Sequence, residues 1–264
     1  MSNPRHIQYG ATSDEADYYR SLVAQHGSPL LVVSRSRLLE QYRKLEKYLP
    51  GTSLYYAIKA FPHPQVIDLL AEAGCDFDVA SEGELELLNP SRISGRRTIH
   101  THPVKKSADI KAALRSGSTT FVIDNIDELK KLIPYRQRIG VLLRVSFRSQ
   151  SAAVDLSRKF GCDPEQVIEI AMQAQELGVH IRGLSFHVGS QSLTPDAHVH
   201  AVRVSHQLIV QANERLANPM NVLDIGGGFP VDYAQSGFDE AAFFAPITSA
   251  LSGLTDDLDL IAEP

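Results

Sequence analysis

Lys59 closes the apolar run Leu54-Tyr55-Tyr56-Ala57-Ile58-Lys59-Ala60, so its amine needs either a use or a route to water. A strand-end lysine can snorkel with its stem packed, or it can serve as a nucleophile. His187 lies in Ser185-Phe186-His187-Val188-Gly189-Ser190-Gln191, where the ring suits either a hydrogen-bonded rim position or catalysis. Beside it, Gly189 permits close backbone approach and Ser190 offers a hydroxyl donor. Gly226-Gly227-Gly228, within Asp224 to Pro230, suits either a tight turn or an anion cradle, because no side chain keeps an anion from the backbone N–H groups. The run is neither a GxGxxG fingerprint nor a P-loop, since no Gly-Lys-Ser/Thr follows. Asp78, Arg144 and Glu263 are charges within apolar runs, which implies mutual pairing or a polar ligand between them.

An amine, an imidazole, a glycine-rich phosphate cradle and a carboxylate form a coherent set for pyridoxal 5'-phosphate. Lys59 would form an imine with the aldehyde, and the cradle would hold the phosphate. Glu263 would keep the pyridine nitrogen protonated, so that the ring can accept electrons.

These residues recur at the ends of short β-type runs that alternate with helical segments, the pattern of parallel βα units. The eight runs are Leu54 to Lys59, Asp76 to Ser81, Thr98 to Pro103, Thr119 to Asp124, Gly140 to Phe147, Ile181 to Gly189, Asn221 to Gly228 and Leu258 to Pro264. Eight closes a TIM-type (β/α)8 barrel, an α/β fold whose chemistry collects at the C-terminal ends of its strands and whose phosphate site follows strands seven and eight. Helix punctuation agrees: Asp163-Pro164-Glu165-Gln166 reads as a capping box, and Gly74, Gly117 and Gly178 read as helix ends. Residues 1–33 are expected to form an N-terminal extension with a strand at Ser28 to Val33, and residues 34–264 the barrel. The chain stops at Glu263-Pro264, so the eighth helix is expected to be missing and the sequence to be part of a longer enzyme.

With 264 residues, 43% of them hydrophobic, the chain can bury a large core. A net charge of -5 gives no global attraction to nucleic acid or anionic membrane, and small-molecule chemistry is favoured. Cys75 and Cys162 fall in no CxxC or ligand spacing, and no apolar stretch reaches the roughly 20 residues of a membrane span. Met1 to His6 lacks a hydrophobic signal core, so a soluble cytoplasmic protein is expected.

Tyr56-Ala57-Ile58-Lys59, Asp76 to Ser81, Ser157-Arg158-Lys159-Phe160-Gly161, Ser185 to Gln191, Leu223 to Pro230 and Glu263-Pro264 together resemble the fold type III pyridoxal-phosphate decarboxylases. That family includes the ornithine, diaminopimelate and biosynthetic arginine decarboxylases and shares the alanine racemase-like barrel. The resemblance implies that Lys59 forms the Schiff base and that His187 stacks on the cofactor ring. It implies that Ser190, Gly226, Gly227 and Gly228 hold the phosphate, and that Glu263 faces the pyridine nitrogen. Asp78 and Arg144 would complete the polar surroundings, and Lys159 would make a contact across a homodimer interface. The family's following Gly-Arg and its C-terminal β-sandwich domain, with a proton-donating cysteine, are absent here, and neither Cys75 nor Cys162 inherits that role.

The resemblance points to decarboxylation of a basic amino acid, ornithine or lysine, to an amine and CO2. Gln191 is more like the diaminopimelate branch, and a noncatalytic pyridoxal-phosphate-binding or regulatory homologue is the alternative from another class. Racemase chemistry matches the motifs less well. His100 and His102, at i and i+2 of a strand, would face one way and could bind a metal, but no third ligand is evident and no metal is expected. His198, His200 and His206 are expected on a solvated helix.

Overall fold

The eight β-type runs fold into eight parallel strands in the computed structural model, which describes residues 13–264 apart from 90, 148–151, 155–158, 234–236 and 255–256. They are β1 (Thr52–Ala57), β2 (Asp76–Val79), β3 (Thr98–His100), β4 (Thr120–Ile123), β5 (Gly140–Val145), β6 (Ile181–Phe186), β7 (Val222–Asp224) and β8 (Asp259–Ala262). Each pairs with the next, and β8 returns to β1 with Thr52 opposite Leu260 and Leu54 opposite Ala262, so the barrel is closed.

Strand alternation sorts the side chains. Phe77, Phe121 and Phe186 are fully buried in the large core outside the strands. Ile99, Val122, Leu142, Val222 and Ile261, with Tyr55 packed against them, form a separate apolar cluster inside the barrel. Two residues further along, on the same inward face, stand Thr101, Asp124, Arg144, Asp224 and Glu263. The barrel is therefore apolar at mid-height and polar at its C-terminal mouth.

The helices are α1 (Ser13–His26), α2 (Arg35–Tyr48), α3 (Pro64–Ala73), α4 (Glu82–Leu88), α5 (Ser107–Ser116), α6 (Ile126–Leu132), α7 (Val167–Glu176), α8 (Asp196–Asn213) and α9 (Glu240–Ser252). The Asp163–Gln166 capping box is present ahead of α7, and Gly74 and Gly117 end α3 and α5 in the left-handed conformation at φ 99° and 94°.

Three expectations need correction. The barrel does not lack a helix between its last and first strands: α2 packs against both α9 and α3 and fills that place. Its Tyr42 is buried, Tyr48 stacks on Phe244 at 4.8 Å, Thr248 Oγ1 donates to the Tyr48 carbonyl at 2.6 Å, and Lys44 pairs with Glu240 at 3.1 Å. Closure makes the slot between β8 and β1 accessible from either direction of the chain, and an amphipathic helix ahead of β1 suffices. Ser28 to Val33 is not a strand; it is exposed coil with Leu31 74% accessible, because the closed barrel offers it no free edge. Finally, Lys59 lies beyond the end of β1, in the 3-10 turn Ile58–Ala60. Its side chain is 62% exposed, so the lysine carries no buried-charge penalty.

Candidate active site

The turn after β1 turns Lys59 toward the barrel mouth, where Nζ lies 3.5 Å from Asp78 Oδ2. Asp78 ends the inward face of β2 and is almost fully buried, and Thr101 Oγ1 donates to its other oxygen at 2.5 Å. A buried carboxylate with two partners thus meets an amine whose stem stays accessible. Of the two readings of these charges, direct pairing of Asp78 with Arg144 does not occur among the described residues. Arg144 instead lies with its guanidinium 5.4 Å from the Phe160 ring centre, in the field of Glu263, Asp224, Asp124 and Asp78. Burial lowers its affinity for a proton and the four carboxylates restore part of it.

His187 follows β6 directly. Gly189 N–H donates to its Nδ1 at 2.9 Å, so Nδ1 is an acceptor and the neutral ring carries its proton on Nε2. Burial, reinforced by the Arg144 and Lys59 charges, lowers its pKa to about 4, and the ring is neutral at physiological pH. It lies against the glycine run: a Cβ on Gly228 would come 3.4 Å from His187 Cε1, and one on Gly227 3.8 Å from Nε2.

The three glycines are required for packing as well as for access. A Cβ on Gly226, Gly227 or Gly228 would fall 2.1, 2.2 or 2.1 Å from the carbonyl oxygens of Phe186, Glu263 and Gly189 respectively. The loops after β6, β7 and β8 therefore meet backbone to backbone. The Gly226 N–H donates to Asp224 Oδ1 at 2.9 Å, whereas the Gly227 and Gly228 amides meet no protein acceptor among the described residues. Ser190 is exposed, in a short strand Ser190–Ser192 that pairs antiparallel with Ala152–Val154.

Asp224 is fully buried, and the half-buried Glu263, two residues past Ile261, the β8 residue opposite Asp224, lies beside it. Desolvation is the main cause that raises both pKa values, Glu263 the further. Glu263 Oε1 is a buried atom with no donor among the described residues.

Several residues that act here carry no role in the sequence reading. Asp224, Ser185 and Thr101 are inward positions of β7, β6 and the turn after β3, and strand alternation was the signal that could have found them. His198 is a correction: it is fully buried on the inner side of α8, stacked on Phe229 at 4.8 Å, with Nε2 3.1 Å from the Gly227 carbonyl. His200 is exposed and His206 half-buried, so only part of the helix is solvated. His100 is fully buried against Phe121, 5.8 Å between ring centres, and neither ring nitrogen has a partner. His102 lies past the strand end and bonds the Val104 carbonyl, so strand alternation does not align the two rings. Ser157 and Arg158 lie outside the described residues. Lys159 is exposed, its amine 5.6 Å from the Phe160 ring centre.

The set fits pyridoxal 5'-phosphate on three structural counts: a cradle that any Cβ would fill, a buried carboxyl oxygen without a donor, and a reachable amine held by a carboxylate. Fold and site thus define a TIM-type barrel built for a phosphorylated aldehyde cofactor. Residues 35–264 match the family model for the pyridoxal-dependent decarboxylase, pyridoxal binding domain, and the chain belongs to that family. A solved lysine/ornithine decarboxylase from Vibrio vulnificus, complexed with putrescine, is 41% identical and superposes with a TM-score of 0.89 over 96% of this chain and 67% of that one. The lysine/ornithine decarboxylase of Selenomonas ruminantium is 36% identical over 93% of this chain and 62% of its own length. A lysine decarboxylase structure from the same organism is 35% identical with a TM-score of 0.87, covering 96% and 66%. The chain therefore spans about two thirds of the length of these relatives. No helix among the described residues is long and apolar enough to cross a membrane.

Proposed function

We propose that this chain is the cofactor-binding barrel of an amino-acid decarboxylase that converts lysine or ornithine to a diamine and CO2. The observation that carries the reading is the pairing of Lys59 with buried Asp78 at the same barrel mouth as the donorless Oε1 of Glu263. The lysine/ornithine decarboxylase names of the relatives support the basic substrate.

When bound, pyridoxal 5'-phosphate supplies an aldehyde that takes up amino groups and a ring that accepts the electron pair left by a departing carboxylate. Lys59 is the attachment amine. Asp78, held by Thr101, fixes where that amine stands. Ser190 and the Gly227 and Gly228 amides hold the phosphate, and Gly226 shapes the loop that presents them. His187, neutral and close to the glycines, would stack on the ring without adding charge. Glu263 would face the ring nitrogen and keep a proton there, while Arg144 offsets the carboxylates around it. In the full-length protein, Lys159 reaches a second copy across a homodimer interface.

Borohydride treatment of protein incubated with pyridoxal phosphate, followed by peptide mass mapping, should place the reduced cofactor on Lys59, and Lys59→Ala should retain none. Label on another lysine would overturn the attachment role. CO2 release from lysine and ornithine, measured on the full-length protein, separates an enzyme from a noncatalytic carrier; no release from either defeats the decarboxylase reading.

A further inference from the structure

Asp224 is the most completely buried acid of the site and has no part in the roles above. Its two oxygens accept from protein donors: Ser185 Oγ at 2.9 Å to Oδ2 and Gly226 N–H at 2.9 Å to Oδ1. Glu263, two residues past Ile261, the β8 residue opposite Asp224, stands beside it. Two adjacent carboxyls withdrawn from water do not both ionise without a cation beside them, so one of the two holds a proton. Two donors stabilise Asp224 as the carboxylate, while Oε1 of Glu263 has none, which places the proton on Glu263. The surrounding groups agree. Asp78 on β2 adds negative charge beside both acids. Arg144 on β5 and Lys59 after β1 offset part of it, and Tyr55 on β1 approaches Asp224 as a neutral phenol, its pKa pushed up to about 12 by burial.

We propose that Asp224 is the positioning residue of this site: it accepts a hydrogen bond from the Glu263 carboxyl and keeps that carboxyl as the proton reserve for the cofactor's ring nitrogen. The inference rests on the cofactor reading above and adds the origin of the ring proton. With the cofactor bound, Glu263 would give up its O–H proton to the ring nitrogen, the only atom to move, and the cationic ring would offset the two ionised carboxyls. Ser185 acts one step back, by holding Asp224 as the acceptor.

The test uses this chain without cofactor, with carboxyl carbons labelled in 13C and the Glu263 signal assigned by its loss in Glu263→Gln. In the parent, the Glu263 midpoint is expected well above the ordinary carboxylate range. Asp224→Asn removes the neighbouring negative charge and offers an amide N–H, so the Glu263 midpoint should fall by about one pH unit or more, tenfold in its proton affinity. Ser185→Ala weakens only the acceptor and should lower the same midpoint by less, which keeps the test open if Asp224→Asn fails to fold. A parent Glu263 titrating in the ordinary carboxylate range, or a midpoint unmoved by both variants, overturns the proposal. Failure of cofactor attachment at Lys59 would leave this titration unchanged, so the two readings fail separately.

Discussion

Gly227→Ala tests the packing that builds the proposed phosphate cradle. The new Cβ would lie 2.2 Å from the Glu263 carbonyl oxygen and 3.2 Å from its carbon. Carbon and oxygen rest no closer than about 3.2 Å, so two backbone segments must part by about 1 Å. Neither can give easily, because Glu263 N–H is bonded to the Gly226 carbonyl at 2.7 Å and Ile225 N–H to the Ile261 carbonyl at 2.9 Å. Overpacking costs about 1–3 kcal/mol, and an obstacle made of tethered backbone belongs at the upper end. At this chain size about 3 kcal/mol lowers the melting temperature by about 6–12 °C. The same separation displaces Glu263 and the two cradle amides, so pyridoxal phosphate should bind more weakly as well. Gly83→Ala in α4 is the control: nothing lies within 4 Å of its Cβ, and the change should stabilise by about 0.5–1 kcal/mol. Paired thermal melts and cofactor titrations check both. An unchanged melting temperature in Gly227→Ala, with undiminished cofactor binding, would refute the backbone-contact argument.

Acid should destabilise the fold through its buried imidazoles. Burial holds His100 and His198 at about 4, whereas an unfolded imidazole titrates near about 6.5. Between those values the unfolded chain binds more protons, so stability is full above the window and is lost as pH falls through it. His198→Phe keeps the stack on Phe229 and should flatten the dependence of urea stability on pH by about 1.4 kcal/mol per unit; parallel slopes would contradict this. Lys105 is fully buried, and its amine donates to the carbonyls of His102, Pro103 and Val122 at 3.1, 2.7 and 2.5 Å, with Glu128 at 3.9 Å. Lys105→Met should therefore cost about 3–5 kcal/mol in urea unfolding. Lys130→Met, at an exposed pair with Asp127, should cost under about 1 kcal/mol, and similar losses in the two would argue against the carbonyl clamp.

Much of the candidate site was legible before folding, because its chemistry resides in residue types. An amine at the end of an apolar run, a triple glycine and a carboxylate in an apolar run marked where chemistry could sit. The β/α alternation and the Asp163–Gln166 cap needed only local periodicity. What the linear pattern missed depends on closure and register. α2 fills the slot between β8 and β1 because the ring of strands joins there. Ser28 to Val33 stays out of the sheet because a closed barrel has no edge. Asp224 meets Ser185 because these residues stand opposite each other on adjacent parallel strands, and Glu263 because β8 lies on the other side of β7. His198 turns inward because of how α8 seats on the barrel. The sequence alone determined which groups could react; which of them touch, only the packed barrel decided. Burial and proximity, which set those energies, are properties of residues far apart in the chain and close in space.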